Sequence, residues 1–302
     1  MRIASFLASG TEICVALGLQ ESIIAISHEC DWPSEVLDRP RVSRPRFDPA
    51  GMTSGAIDAA LRRVMVEHGS AYAIDEELLT QLAPDVILTQ SVCEVCAVPT
   101  PGVRELVDRR GIPANVVSLD AHTVEDILDS IVQVGAATHA TGEAADVVAD
   151  LRARIGRVRN AVEDGTRPRV LAIEWLDPPF APGHWVPEMI EIAGGTNLAG
   201  AAGSHSTQTT WDELGGLDPD VLVIMPCGYD LEATKRDAAA ARDRLRGIAA
   251  RAVDGGRAFV VDGSAYFNRS GPRFVNGIEI LAGLLHPELF DGPPAGTAEK
   301  WT

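Results

Sequence analysis

Two stretches of this chain are near copies of each other, and the duplication limits the folds open to it. Leu79-Thr80-Gln81-Leu82-Ala83-Pro84-Asp85-Val86-Ile87-Leu88 recurs as Leu214-Gly215-Gly216-Leu217-Asp218-Pro219-Asp220-Val221-Leu222-Val223. The shared core is Leu-x-x-Leu-x-Pro-Asp-Val, followed by a short apolar run. It reads as the end of a helix, a Pro-Asp stop that cannot continue it, and then a buried strand. Two copies this far apart describe two similar lobes, not a solenoid. Two α/β lobes facing each other make a cleft, and a cleft calls for a ligand.

The chain has 302 residues, 46% of them hydrophobic. That length buries about three quarters of the unfolded surface and suits two domains. A net charge of −17 repels nucleic acid and anionic membrane surfaces, so neither is an expected partner. The acidity itself needs no more than a solubility role. No run of residues has the length and apolarity of a membrane span. Near the N-terminus only Arg2 is basic, residues 3–7 look like a first strand, and Gly10-Thr11-Glu12 opens a helix, so no leader is read there. The location expected from the chain as it stands is cytoplasmic, or periplasmic or extracellular if a leader has been removed.

Strand-like and helix-like segments alternate. In the first half, strands are expected at residues 3–7, 22–26, 85–89 and 115–118, with helices at 12–17, 56–67, 75–82, 103–109 and 124–137. Residues 28–51 are irregular and rich in Pro and Arg. Next, Ala144, Val148, Leu151, Ile155, Val158 and Val162 form one apolar stripe on a long helix from Thr141 to Val162, about 33 Å in length. Thr141 can cap it, and Arg152, Arg154, Arg157 and Arg159 suit its C-terminal half. A new strand begins at residues 168–173. It is followed by helices at 187–193 and 211–214, a strand at 221–225, a charged helix near 231–245, a strand at 258–261 and a last helix at 272–285. The predicted architecture is α/β, with two Rossmann-like lobes of mostly parallel sheets joined by a single long backbone helix. The lobes are residues 1–140 and 166–290, the linking helix 141–165, and 291–302 a frayed tail. Ligands of such sheets bind at the carboxyl ends of the strands.

The loops after the expected strands hold nearly all the unusual chemistry. Glu12 follows the first, Trp32 the second, and Gln90 the first repeat. In the second half come Trp175, His184 and Trp185, then Cys227 and Tyr229, then Arg269 and Arg273. Loop aromatics offer flat apolar faces to a planar ligand, or they cap the core of their own lobe. Ser270-Gly271-Pro272-Arg273 reads as a helix cap followed by a first-turn proline. The flanking arginines make it an anion site, unless they pair with the chain's own acids.

The five cysteines, Cys14, Cys30, Cys93, Cys96 and Cys227, are too few and odd in number for a disulfide scaffold. Cys93-x-x-Cys96 has chelating spacing, and His28-x-Cys30 sits on a loop that can be its neighbour. The four side chains could ligate a borderline transition metal, act as a redox or disulfide pair, or be inert packing thiols. There is no phosphate loop, no Gly-x-Ser-x-Gly and no His-Glu-x-x-His, so no enzyme activity is assigned.

Ser5-Phe6-Leu7-Ala8-Ser9-Gly10-Thr11-Glu12 followed by Ala16-Leu17-Gly18-Leu19, the two Leu-x-x-Leu-x-Pro-Asp-Val units, the long helix and Gly194-Gly195-Thr196-Asn197 together resemble the helical-backbone metal-receptor superfamily. These are the class III substrate-binding proteins of ABC importers for cobalamin, haem, iron-siderophores and metal ions, and the chain is most similar to the cobalamin-binding ones. The resemblance implies a small-molecule metal chelate, cobalamin or another, held between lobes that close only slightly, and an ABC permease as partner. Trp32, Trp175, Trp185 and Tyr229 would be apolar walls, with Arg269 and Arg273 at the ligand's polar rim. The competing reading is a metal-binding enzyme or metal-handling protein that uses His28, Cys30, Cys93 and Cys96.

Overall fold

The computed structural model describes residues 1–92 and 98–302. The fold is α/β with mostly parallel sheets, and the chain divides into two compact units. One comprises Met1–Met52, Ala59–Ala121 and Glu125–Asp150; the other comprises Thr53–Asp58, His122–Val124 and Leu151–Thr302.

In the first unit, strands β1 (Ile3–Ser5), β2 (Ile23–Ala25), β5 (Val86–Thr89) and β6 (Asn115–Ser118) form a parallel sheet in the order β2-β1-β5-β6. The short strands β3 (Ser43–Pro45) and β4 (Tyr72–Ile74), between β2 and β5 in sequence, pair antiparallel with each other. In the second unit, β7 (Arg169–Ile173), β10 (Thr196–Asn197), β12 (Val221–Ile224), β13 (Ala258–Val261) and β14 (Ala298–Lys300) form a sheet in the order β10-β7-β12-β13-β14, parallel except for β14. A second, antiparallel sheet runs β11-β9-β8, from β8 (Trp175–Leu176), β9 (Pro179–Ala181) and β11 (Thr207–Gln208).

The sequence repeat is a repeat of atoms. Ala83 and Asp218, the residues before each proline, both adopt a left-handed backbone at φ 42°. Asp85 Oδ2 accepts the Arg2 N–H at 2.8 Å, and Asp220 Oδ2 accepts the Arg169 N–H at 2.8 Å. The Arg2 guanidinium donates to the Leu82 carbonyl at 2.7 Å, as Arg169 does to that of Leu217. In the first copy the kinked residue caps the helix directly, and in the second it follows the helix Trp211–Gly215 after Gly216 and Leu217. In both, the carbonyl before it accepts from an arginine at the start of the neighbouring strand. The aspartate then sets the register of that strand. Both following strands, β5 and β12, are buried throughout, as central parallel strands are.

The stripe on the helix Thr141–Val162 is buried at Ala144, Leu151, Ile155, Val158 and Val162. Thr141 is its first helical residue, so it does not cap from outside. Arg154 forms a two-pronged pair with Glu279, at 2.9 and 2.6 Å.

Four expectations are corrected. The first helix spans Ala8–Ala16, so residues 8–12 are helix and not loop, because Leu7 leads directly into a turn whose residues are all buried. The charged helix near 231–245 is two helices, Leu231–Ala240 and Arg242–Ile248, broken at Ala241. The last helix begins at Phe274 with Arg273 as its cap residue, because Gly271 and Pro272 form a turn closed by the Phe274 N–H on the Gly271 carbonyl. Residues 291–302 are not frayed: β14 pairs with β13, and Trp301 is buried among Leu171, Leu222 and Val260, with Arg242 over its ring. A large aromatic anchor outweighs the entropy of ordering a short terminal segment.

Candidate functional site

The loops at the carboxyl ends of β7, β12 and β13 come together within the second unit. The Cys227 N–H donates to the Glu174 carbonyl at 3.0 Å, and the Ser264 N–H to that of Tyr229 at 3.0 Å. On this frame Trp175 meets Tyr229 edge to face, with ring centroids 5.1 Å apart, and the Trp175 indole N–H is held by the Asp177 carbonyl. Both aromatics are only half-buried, which leaves ring surface open. Burial, with Asp237 nearby, pushes the Tyr229 hydroxyl up to about 12, so it stays a neutral donor. Arg269 donates to the Ser264 hydroxyl at 3.1 Å, and Arg273 lies over the Tyr266 ring. These loops thus present an aromatic pair and two half-buried arginines.

Beside them lies Glu174. Burial pushes its carboxyl up to about 7, against hydrogen bonds from Ser206, Asn268 and the Gly183 N–H that pull it down. One oxygen accepts from Asn268 at 3.2 Å; Oε2 is buried without a hydrogen-bond partner, as is Asn268 Oδ1. A carboxyl so placed holds its proton near neutrality.

Next to Glu174's partners, three histidines meet. His184 and His205 lie with ring centroids 5.3 Å apart, and His122 is 5.6 Å from each. Desolvation, together with the two neighbouring rings, depresses His184 to about 4. Among the described residues no three His, Cys, Asp or Glu side chains are already set to hold a metal ion.

The other expected site residues fall as follows. Trp185 is 7% exposed, and its indole N–H donates to the Phe267 carbonyl at 2.8 Å, so it packs as core and not as an open wall. Cys227 is half-buried and forms no disulfide. In the first unit Glu12 is 1% exposed inside the first helix, Trp32 is 42% exposed, and Gln90 is half-buried just after β5. His28 shares a hydrogen bond with the Ser43 hydroxyl at 2.9 Å and approaches Glu29 at 3.1 Å. The buried Cys30 thiol contacts the hydroxyls of Thr11 at 3.1 Å and Ser27 at 3.3 Å. Cys93 and Cys96 lie outside the described residues. Sequence reading placed Glu174 and Asn268 in strand-end loops without giving them a role, and missed His122 and His205, which no local pattern marks.

A family model described as periplasmic binding protein matches residues 3–259. The chain belongs to that family. An uncharacterized ABC transporter substrate-binding lipoprotein of Bacillus subtilis is 24% identical over 295 residues, covering 96% of this chain and 81% of that protein. A cobalamin-binding protein of Halobacterium salinarum is 24% identical over 237 residues, 76% of this chain and 61% of its own length. Among solved structures, a periplasmic heme-binding protein from Pseudomonas aeruginosa superposes with a TM-score of 0.74 at 19% identity, covering 100% of this chain and 99% of that one. The periplasmic vitamin B12 binding protein of Vibrio cholerae gives 0.65 at 20% identity, covering 95% and 96%. These likenesses establish the fold. No helix among the described residues is long and apolar enough to cross a membrane.

Proposed function

We propose that this chain binds a flat metal chelate of the corrinoid or porphyrin kind and delivers it to an ABC-type permease. The observation that carries the reading is the open Trp175–Tyr229 pair, set on strand-end loops that also bear Arg269 and Arg273. A chelate ring is a broad apolar plate with a polar or anionic edge. Half-exposed aromatics desolvate its face, and the guanidiniums meet its amides or carboxylates. Membership of the periplasmic binding protein family supports the transport role. The cobalamin-binding relative and the heme- and B12-binding structural neighbours support the ligand class. Delivery to an importer carries with it a place on the outer side of the membrane, the compartment named for those structural neighbours.

The test is a titration of cyanocobalamin and of hemin, followed by absorbance and tryptophan fluorescence. One of the two should bind, and Trp175→Ala should weaken it by about thirtyfold, the roughly 2 kcal/mol of an aromatic hot spot. If neither chelate binds, or if Trp175→Ala binds like the parent chain, the reading fails.

A further inference from the structure

Three of the chain's seven histidines meet at one place, though they come from three separate segments of the sequence. His122 follows β6, His184 follows β9, and His205 precedes β11. The chain holds them there by several separate devices.

His184 has a left-handed backbone, φ 51°. That conformation costs a residue other than glycine about 1 kcal/mol. It is held in place because the His184 N–H donates to the Ser204 carbonyl at 2.6 Å, while its own carbonyl accepts from Gly203 at 2.9 Å. Gly183 lies so close to residues 204–206 that a side-chain carbon there would collide with the Ser204 carbonyl and the Ser206 nitrogen. Its N–H also donates to the Ser206 hydroxyl. The His184 and His205 loops are therefore stitched together backbone to backbone. His122 is fixed to the same unit by the Val124 N–H, which donates to Glu188 Oε2 at 2.6 Å. Glu188 stands in the helix Val186–Ile192, which begins just after His184.

His184 Nε2 and His205 Nδ1 share a hydrogen bond at 3.3 Å, whose proton an ion would replace. Two imidazole nitrogens bound to one tetrahedral metal at about 2.0–2.1 Å lie about 3.3 Å apart, so this pair already has ligand spacing. The three rings as they stand are not a finished centre, since among the described residues no three such side chains are arranged to hold an ion. His122 is half-buried on a loop, and His205 is exposed, which gives an ion a way in. Three neutral imidazoles with an open fourth position suit zinc, copper, nickel or cobalt, and not magnesium or calcium.

We propose that His122, His184 and His205 form a binding site for one divalent transition-metal ion. Its three ligands are different residues from the Trp175–Tyr229 pair and the two arginines. The experiment takes the full-length, tag-free chain, stripped with a chelator. Zinc is titrated by calorimetry, and cobalt by its visible absorption, which becomes intense when the ion is tetrahedral. One equivalent should bind. His184→Asn and His122→Asn should each weaken it by at least about tenfold, a loss that even an outer-shell partner produces. His68→Asn, on a helix end elsewhere, should leave it unchanged. Each variant is first checked by circular dichroism, and His205→Gln replaces any that fails to fold. Absence of stoichiometric binding, or binding equal in parent and site variants, overturns the proposal. Since the chelate titration reads Trp175 and this one reads the histidines, either can fail alone.

Discussion

Replacing Glu174 by glutamine should make the second unit less sensitive to pH, and the size of the effect follows from the burial of one carboxyl. Its ordinary value of 4.5 is pushed up to about 7. In the unfolded chain the group loses its proton near 4.5; in the folded chain it keeps it until about 7. Between those values the folded state binds more protons, so stability is fully present below pH 4.5 and falls as pH rises to 7. At about 1.4 kcal/mol per pH unit, the loss across that window is about 3 kcal/mol. The amide of the Glu174→Gln variant has no proton to lose. The two proteins should be about equally stable at pH 4.5, and the variant should be more stable at pH 8 by up to about 3 kcal/mol. His184, depressed to about 4, works in the opposite sense: the unfolded chain takes up its proton first, so its contribution is lost as pH falls from 6.5 toward 4. Subtracting the variant's curve from the parent's cancels His184 and every other unaltered group. The assay is urea unfolding followed by tryptophan fluorescence from pH 4.5 to 8. Four of the five tryptophans, Trp175, Trp185, Trp211 and Trp301, lie in the second unit, so the signal reports on the right part of the molecule. A difference curve that stays flat across this range would refute the argument.

Two further outcomes test the fold. Trp301→Ala should destabilise the second unit by about 3–5 kcal/mol in the same urea assay, the size expected for removing a large buried aromatic; a change near zero would mean that the β14 pairing does not hold. Asp85→Ala and Asp220→Ala should each cost about 1–2 kcal/mol by thermal unfolding, and by similar amounts, since each carboxylate holds the backbone N–H that opens the neighbouring strand; a cost in only one copy would contradict their equivalence.

The scaffold was legible in the sequence because its signals are local and periodic. Leu-x-x-Leu-x-Pro-Asp-Val locates a helix end and a buried strand in both halves, and the apolar stripe from Ala144 to Val162 locates the longest helix within a residue. Missed were the pieces whose stability is tertiary. Trp175–Leu176 and Pro179–Ala181 are too short for a period of two to show; they are strands because they pair with each other, and β11 adds to the β9 edge. Lys300 lies in a strand because Trp301 beside it has a core to enter. Of the expected walls, Trp175 and Tyr229 meet, whereas Trp185 turns inward to Phe267. A tryptophan beside a histidine reads the same in either case. The histidine trio had no motif at all, since its members are brought together by the fold and not by spacing.

The two sheets also explain why the aromatic pair and the three histidines lie in the second unit. β2-β1-β5-β6 and β10-β7-β12-β13 share one strand order, and Gly18 and Gly194 close the helix after the first strand of each with positive φ. The copies part company immediately after that strand. From β1 the chain runs directly into the helix Ala8–Ala16, and Glu12 is sealed inside it. From β7 it first detours through β8 and β9 before reaching the equivalent helix Val186–Ile192. That detour carries Trp175, His184 and, through β11, the segment bearing His205. A duplicated frame can tolerate such an insertion because the helix and strand positions are already fixed by the aspartate and arginine contacts common to both copies. On this argument, grafting residues 174–183 onto the end of β1 would not recreate the site, since the first unit has no counterpart among its described residues to residues 199–208 to pair with it.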